Sequence, residues 1–291
     1  MADWITIANE HLTAAINPLG AELSSLKDAD GRELMTNADP AFWTGRAPLL
    51  FPVVGKPADE TIRVDGGLYP MKQHGFARRL PFAVIEQGNT RALFRLTASE
   101  ETRTHYPFDF TLDALFRLDD ATLCIEITIH NPADTPLPAS FGFHPAFAWP
   151  LPYGRDRADH RITFARDEPT ALRVIAADGT IAPGTKPSPL DGRTLALADD
   201  LFVHDALVWD PVRSTRVCYG ASDGPSLEIA FPDTPMLGIW TKPGAQYICV
   251  EPWHGIADPE GYAGELADKP GIFLIPPGGA KHIVMSVTRV P

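Results

Sequence analysis

The sequence predicts an all-β protein, a sandwich or barrel with only a few short helices. Three observations carry that expectation. The 291 residues include 29 prolines, scattered from Pro18 to Pro291. Each removes a helix donor and biases the preceding residue to extended geometry, so long helices find little room. The longest proline-free stretches alternate apolar and polar residues with a period of two. Turn residues (Gly, Asn, Asp) separate such stretches every ~8–15 residues, which is the rhythm of a sandwich or barrel.

Taken in order, residues 5–26 (ITIANEHLTAAINPLGAELSSL) read as short strands broken at Asn and Gly, and RALFRLTAS at 91–99 as another. FTLDALFRL and TLCIEITIH, joined through the acidic turn Asp119-Asp120, read as a hairpin. In its second strand Leu123, Ile125, Ile127 and Ile129 alternate with Cys124, Glu126, Thr128 and His130. VRSTRVCYG, SLEIAF and AKHIVMSVTRV complete the set. Helix is expected only as brief turns such as Ala263–Ala267. Segment 150–195, rich in Pro, Gly, Asp and Arg, is the loosest stretch and the sole plausible boundary. One large domain over residues 1–291 is preferred to two.

Composition excludes several function classes. The formal net charge of −12 repels phosphate backbones, so no nucleic-acid partner is expected. No stretch reaches about 18 apolar residues, and MADWITIANEHL lacks a signal-peptide pattern; no membrane partner and a cytoplasmic location are expected. Cys124, Cys218 and Cys249 are odd in number and widely spaced, the pattern of small buried hydrophobes in a reducing compartment. The nine histidines include no HxH, HExxH or Cys-pair spacing, so no metal is expected from local motifs; a site assembled from distant residues stays open.

Three segments place titratable residues among apolar and aromatic ones: Lys72–Arg78 (KQHGFAR), Ser140–Phe147 (SFGFHPAF) and Tyr247–Gly255 (YICVEPWHG). His144 and Glu251 each precede a proline, which favours extended backbone and a fixed side-chain trajectory. Each also has a structural reading. His144, hemmed by Phe141, Phe143 and Phe147, fits a core residue; Glu251 fits a strand end facing solvent; His74 before Gly75 fits a turn. Together, two histidines and a carboxylate supply what proton transfer near neutral pH requires. Trp253, Phe143 and Phe147 offer flat faces on which a sugar can stack. Alternation sets Tyr247, Cys249 and Glu251 on one face and Ile248 and Val250 on the other.

At these residues the sequence resembles the aldose 1-epimerase (galactose mutarotase) superfamily. The matching text is FPVVG at 51–55, KQHGFAR at 72–78, PLPASFGFHPAF at 136–147 and LGIWTKPGAQYICVEPWHG at 237–255, in order and over most of the chain. The resemblance implies a mutarotase-type β-sandwich (supersandwich) with a concave face that binds one sugar, and acid–base ring opening without a cofactor. It implies Glu251 as base, His144 as acid and His74 as a sugar-binding histidine. Arg46, in GRAPLLFP, and Asp205, in LFVHDALVW, match substrate-binding positions, with Arg78 and Trp253 as neighbours. The Phe-Ala-Arg after His74-Gly75 and the Pro-Trp-His-Gly after Glu251 resemble the LacX-like branch, and the former also hexose-6-phosphate epimerases. The readings set against a mutarotase of a free sugar are therefore a hexose-6-phosphate 1-epimerase, a non-catalytic sugar-binding protein and, more weakly, a glycoside hydrolase or lyase. The expected partner is a small sugar, and the expected assembly a monomer or homodimer.

Overall fold

A computed structural model describes residues 4–291, and almost all its regular structure is antiparallel strand. A nine-stranded sheet runs in the order Thr194–Ala196, His160–Phe164, Arg216–Ala221, Ser226–Ala230, Ala280–Val290, Thr122–His130, Thr111–Asp119, Arg91–Thr97, Ala83–Gln87. An eight-stranded sheet runs Ile181–Lys186, Leu172–Ile175, Leu207–Trp209, Met236–Trp240, Tyr247–His254, Phe141–Phe143, Leu49–Leu50, with Ala146–Ala148 pairing beside Tyr247–His254. A three-stranded sheet, Ile5–Ala8, Leu12–Asn17 and Glu22–Asp28, holds the expected N-terminal strands.

The strand Thr122–His130 falls where alternation places it, and Leu123, Ile125, Ile127 and Ile129 are all buried. They join one continuous core with residues of the eight-stranded sheet, including Leu237, Ile239, Ile248 and Val250. Each such side chain contributes about 1.5–3 kcal/mol when fully withdrawn from water. The hairpin turns one residue later than expected. Asp119 still pairs with Thr122, so Asp120 and Ala121 make the turn, with Asp120 in the left-handed region at φ 46°. The loose 150–195 segment supplies strands to both large sheets.

Helix is as scarce as proline content demands, though not where expected. The helical turn near Ala263–Ala267 is a 3-10 turn at Leu266–Asp268, because Gly264 weakens a helix start and Glu265 is extended. The α-helix at Glu100–Arg103 begins with a capping box, in which Ser99 accepts from the Thr102 N–H and Thr102 Oγ1 from the Ser99 N–H. No helix among the described residues is long and apolar enough to cross a membrane. Cys249 is fully buried, whereas Cys124 and Cys218 are half-buried, so only the first fits the buried-hydrophobe expectation.

Candidate active site

The outer face of the eight-stranded sheet carries the site because alternation divides its strands. In Tyr247–His254, Ile248 and Val250 enter the main core, while Tyr247 and Cys249 pack with Ala146 on the other side. Glu251 and Trp253 continue that second side and line a cavity of about 350 Å³, at the small end of ligand sites. The same division in Met236–Trp240 sends Leu237 and Ile239 inward and Trp240 to the cavity. In 140–147 the phenylalanines Phe141, Phe143 and Phe147 all enter the main core. They therefore neither hem His144 nor offer a face to a sugar. His144 projects from the opposite side.

What encloses His144 instead is Trp43 at 4.8 Å between ring centroids, His74 at 5.7 Å and Trp240 at 5.9 Å. Its Nε2 lies 3.1 Å from Glu251 Oε2, with the two side chains 9% and 2% exposed. Burial drives the pair toward its uncharged form. It pushes the Glu251 carboxyl well above the ordinary carboxylate range, with the Asp205 charge adding to the rise. It pulls the His144 imidazole down to about 3. His144 Nδ1 is buried and has no hydrogen-bond partner among the described residues.

His74 both closes a turn and lines the cavity. Its backbone is left-handed at φ 65°, held by His74 N–H donating to the Gly55 carbonyl at 2.9 Å. Gly55 N–H donates in return to His74 Nδ1 at 3.1 Å. Because Nδ1 accepts, the proton of the neutral ring sits on Nε2. Burial first, then the nearby His144 and Arg78, hold His74 well below its ordinary range and hence neutral. Only glycine serves at position 55: φ is 73° and a Cβ would lie 2.4 Å from the Ala257 nitrogen.

Trp253 lines the cavity. Gly142 is its direct partner on one neighbouring strand, and Gly238, on the other, lies diagonally across the ladder. A Cβ on Gly238 would come within 2.6 Å of Trp253 Cη2, and one on Gly142 within 2.6 Å of Cδ1. The indole thus lies across two bare backbones, and Gly238 is also the residue paired with Glu251. Gly238→Ala is expected to tilt the ring into the cavity, costing about 1–3 kcal/mol of stability. By narrowing the cavity it should weaken the binding of a ligand there about tenfold or more, readable by calorimetry.

Asp205 and Arg78 also line the cavity. Asp205, left-handed at φ 74°, is exposed, and its Oδ1 accepts from the Ala206 N–H at 2.7 Å. Arg78 donates from Nη2 to the Gln73 carbonyl and has no carboxylate partner among the described residues. Burial, with Arg79 adding, lowers it to about 10. Arg46 is not part of the wall. Its Nη1 donates to the Thr36 carbonyl at 2.7 Å, and its guanidinium lies 5.6 Å from the Trp4 ring centroid. The backbone explains why: Arg46 bonds to Ala146 and Glu22 at the sheet edge, turning the side chain away. Sequence reasoning missed Trp43 and Trp240. The period-two pattern of MLGIW, with Trp240 paired to Cys249, could have found the second. Trp43 sits in a loop without a periodic signal.

The sequence profile of the aldose 1-epimerase family matches residues 3–265. The chain belongs to the aldose 1-epimerase family. Within it, the chain is 29% identical over 288 residues to Protein LacX (chromosomal) of Lactococcus lactis, covering 94% of this chain and 95% of that one. A Salmonella typhimurium protein provisionally named a glucose-6-phosphate 1-epimerase is 27% identical over 86% of this chain and 82% of its own. Among solved structures, a galactose mutarotase related enzyme from Lactobacillus acidophilus superposes with a TM-score of 0.91 at 31% identity. That alignment covers 99% of this chain and 97% of the other. The fold is thus the galactose mutarotase-like β-sandwich.

Proposed function

We propose that this family member interconverts the α and β anomers of a free aldohexose or a closely related sugar. The observation that carries the reading is the buried His144–Glu251 contact at 3.1 Å in a monosaccharide-sized cavity. Ring opening of a hemiacetal needs the C1 hydroxyl proton removed and the ring oxygen protonated. A sugar hydroxyl donating to Glu251 favours the carboxylate, so the proton shared by the pair passes to His144 Nε2. Glu251 then takes the C1 hydroxyl proton while His144 gives its own to the ring oxygen. The pair returns to its uncharged form and the sugar is an open-chain aldehyde. Rotation about C1–C2 and the reverse transfers close the other anomer, with no proton gained or lost. His74 Nε2–H, Arg78 and Asp205 orient oxygens, and Trp253 supports one face of the sugar.

The charge of the cavity favours a free sugar over a hexose 6-phosphate. Among the described residues Arg78 is the one Arg or Lys in its wall, beside the carboxylates Asp205 and Glu251. Of the other cations set out for a phosphate, Arg46 is engaged with Thr36, Arg79 with the Gly75 carbonyl and Lys242 with the Phe42 carbonyl, and Lys72 is exposed and outside the cavity lining. Lys56, running beside Gly179 at the wall, faces Glu60 at 3.9 Å. Anomer exchange of glucose and of glucose 6-phosphate, followed by NMR with the same protein sample, should give the higher kcat/KM for the free sugar. A higher value for the phosphate would reverse this assignment of substrate.

A further inference from the structure

Cys249 takes no part in these proton transfers, yet it stands on the Glu251 side of its strand, two residues before it, and is fully buried. One ligand-capable atom each from His144, Cys249 and Glu251 lies within 4.8 Å of the others. We propose that these three side chains form a binding site for Zn²⁺ or a similarly thiophilic divalent cation, which excludes the sugar when it binds.

Three properties of the cluster argue for this. The first is geometry. Zinc binds nitrogen, oxygen and sulfur at about 2.0–2.3 Å, so tetrahedral ligand pairs stand about 3.3–3.8 Å apart. The His144–Glu251 edge, at 3.1 Å, is already near that spacing. The remaining separations, at most 4.8 Å, close with a shift of about 1 Å in the side chains. The second is charge. One thiolate and one carboxylate neutralise a divalent ion, so the occupied site buries no net charge. The third is selectivity. An imidazole, a thiolate and a single carboxylate suit zinc, whereas Mg²⁺ and Ca²⁺ demand several oxygen ligands.

Two of the three ligands, His144 and Glu251, line the cavity, so an ion held by them is open to it. A metal there takes the lone pairs on which the sugar hydroxyls depend. Among the described residues His144 Nδ1 has no acceptor to brace the ring. Braced imidazoles bind metal more tightly, so the site is built for reversible occupation rather than a resident ion.

The competition rests on the reading of this cavity as the sugar site, but metal binding does not, so the two are measured separately. Calorimetry of ZnCl₂ into the purified full chain should show one ion bound per chain through this cluster. Co²⁺ in its place should give the near-ultraviolet thiolate charge-transfer band. Cys249→Ala and Cys249→Ser should each abolish the band and weaken Zn²⁺ at least about tenfold, since losing even an outer-sphere partner costs that much. Added galactose or glucose should raise the apparent Kd for Zn²⁺ in the wild type. Unchanged Zn²⁺ affinity in both Cys249 variants, or Co²⁺ binding without a thiolate band, overturns the site. Zn²⁺ binding that persists while sugar has no effect overturns the exclusion and leaves the epimerase reading to its own tests.

Discussion

Glu251→Gln should lose about 10²–10⁴-fold in kcat, the worth of one positioned acid or base, while becoming more stable than the wild type above pH 4.5. Gln keeps the size and can still donate to His144, so the loss reports the missing base rather than a collapsed wall. The stability sign follows from burial. The folded carboxyl holds its proton well above the ordinary carboxylate range, whereas in the unfolded chain it ionises near 4.5. The folded state therefore binds more protons across that window, and stability falls as pH rises, by at most about 1.4 kcal/mol per pH unit for one proton. Gln removes that slope. Denaturant midpoints of the two proteins should coincide below pH 4.5 and separate progressively above it. Because the working pair must hold one proton, the same shift should set the alkaline limb of kcat/KM, well above the ordinary carboxylate range. A variant with full activity, or one equally stable at every pH, would contradict the role given to this carboxyl.

His144→Ala should lose a comparable ~10²–10⁴-fold in kcat, with a smaller effect on KM, because the donated proton matters most in the transition state. Its pH signature has the opposite sign. The folded imidazole stays neutral down to about 3, while the unfolded one takes a proton below about 6.5. Wild-type stability therefore carries a component that is lost as pH falls from 6.5, again by at most about 1.4 kcal/mol per unit. The variant lacks it. Its deficit, from the space left between Trp43 and Trp240, should be largest at neutral pH and shrink toward pH 5 in urea denaturation. Between 4.5 and 6.5 the two slopes cancel in the wild type, since folding moves one proton from His144 to Glu251 without net uptake.

How far the sequence announced all this varies with the kind of signal. Strands with strict alternation, Thr122–His130 and Ala280–Val290, end where the text implies. Glu251 was legible for the same reason: Ile248 and Val250 belong to the core, so the acid two positions from Cys249 must face outward. His144 was legible as chemistry but not as environment. Its phenylalanine neighbours in sequence point to the far side of the strand, and its true neighbours, Trp43 and Trp240, come from a loop and a different strand. Arg46 was matched on flanking text, and backbone bonds at the sheet edge decide its direction. The platform of Trp253 depends on Gly142 and Gly238, whose importance appears only once the ladder sets them beside one ring. The contact between His144 and Glu251 joins residues 107 positions apart (251 − 144), which no local pattern encodes.

The most direct measurement is saturation transfer between the α and β H1 resonances of galactose and of glucose, with and without the purified protein. The expected result is exchange that rises in proportion to protein concentration for at least one of these free sugars, at rates above the spontaneous reaction. The contradicting result is binding, seen as broadening of the sugar lines, with exchange that stays at the spontaneous rate. A site with Glu251, His144 and His74 in place would then be a sugar receptor rather than an epimerase.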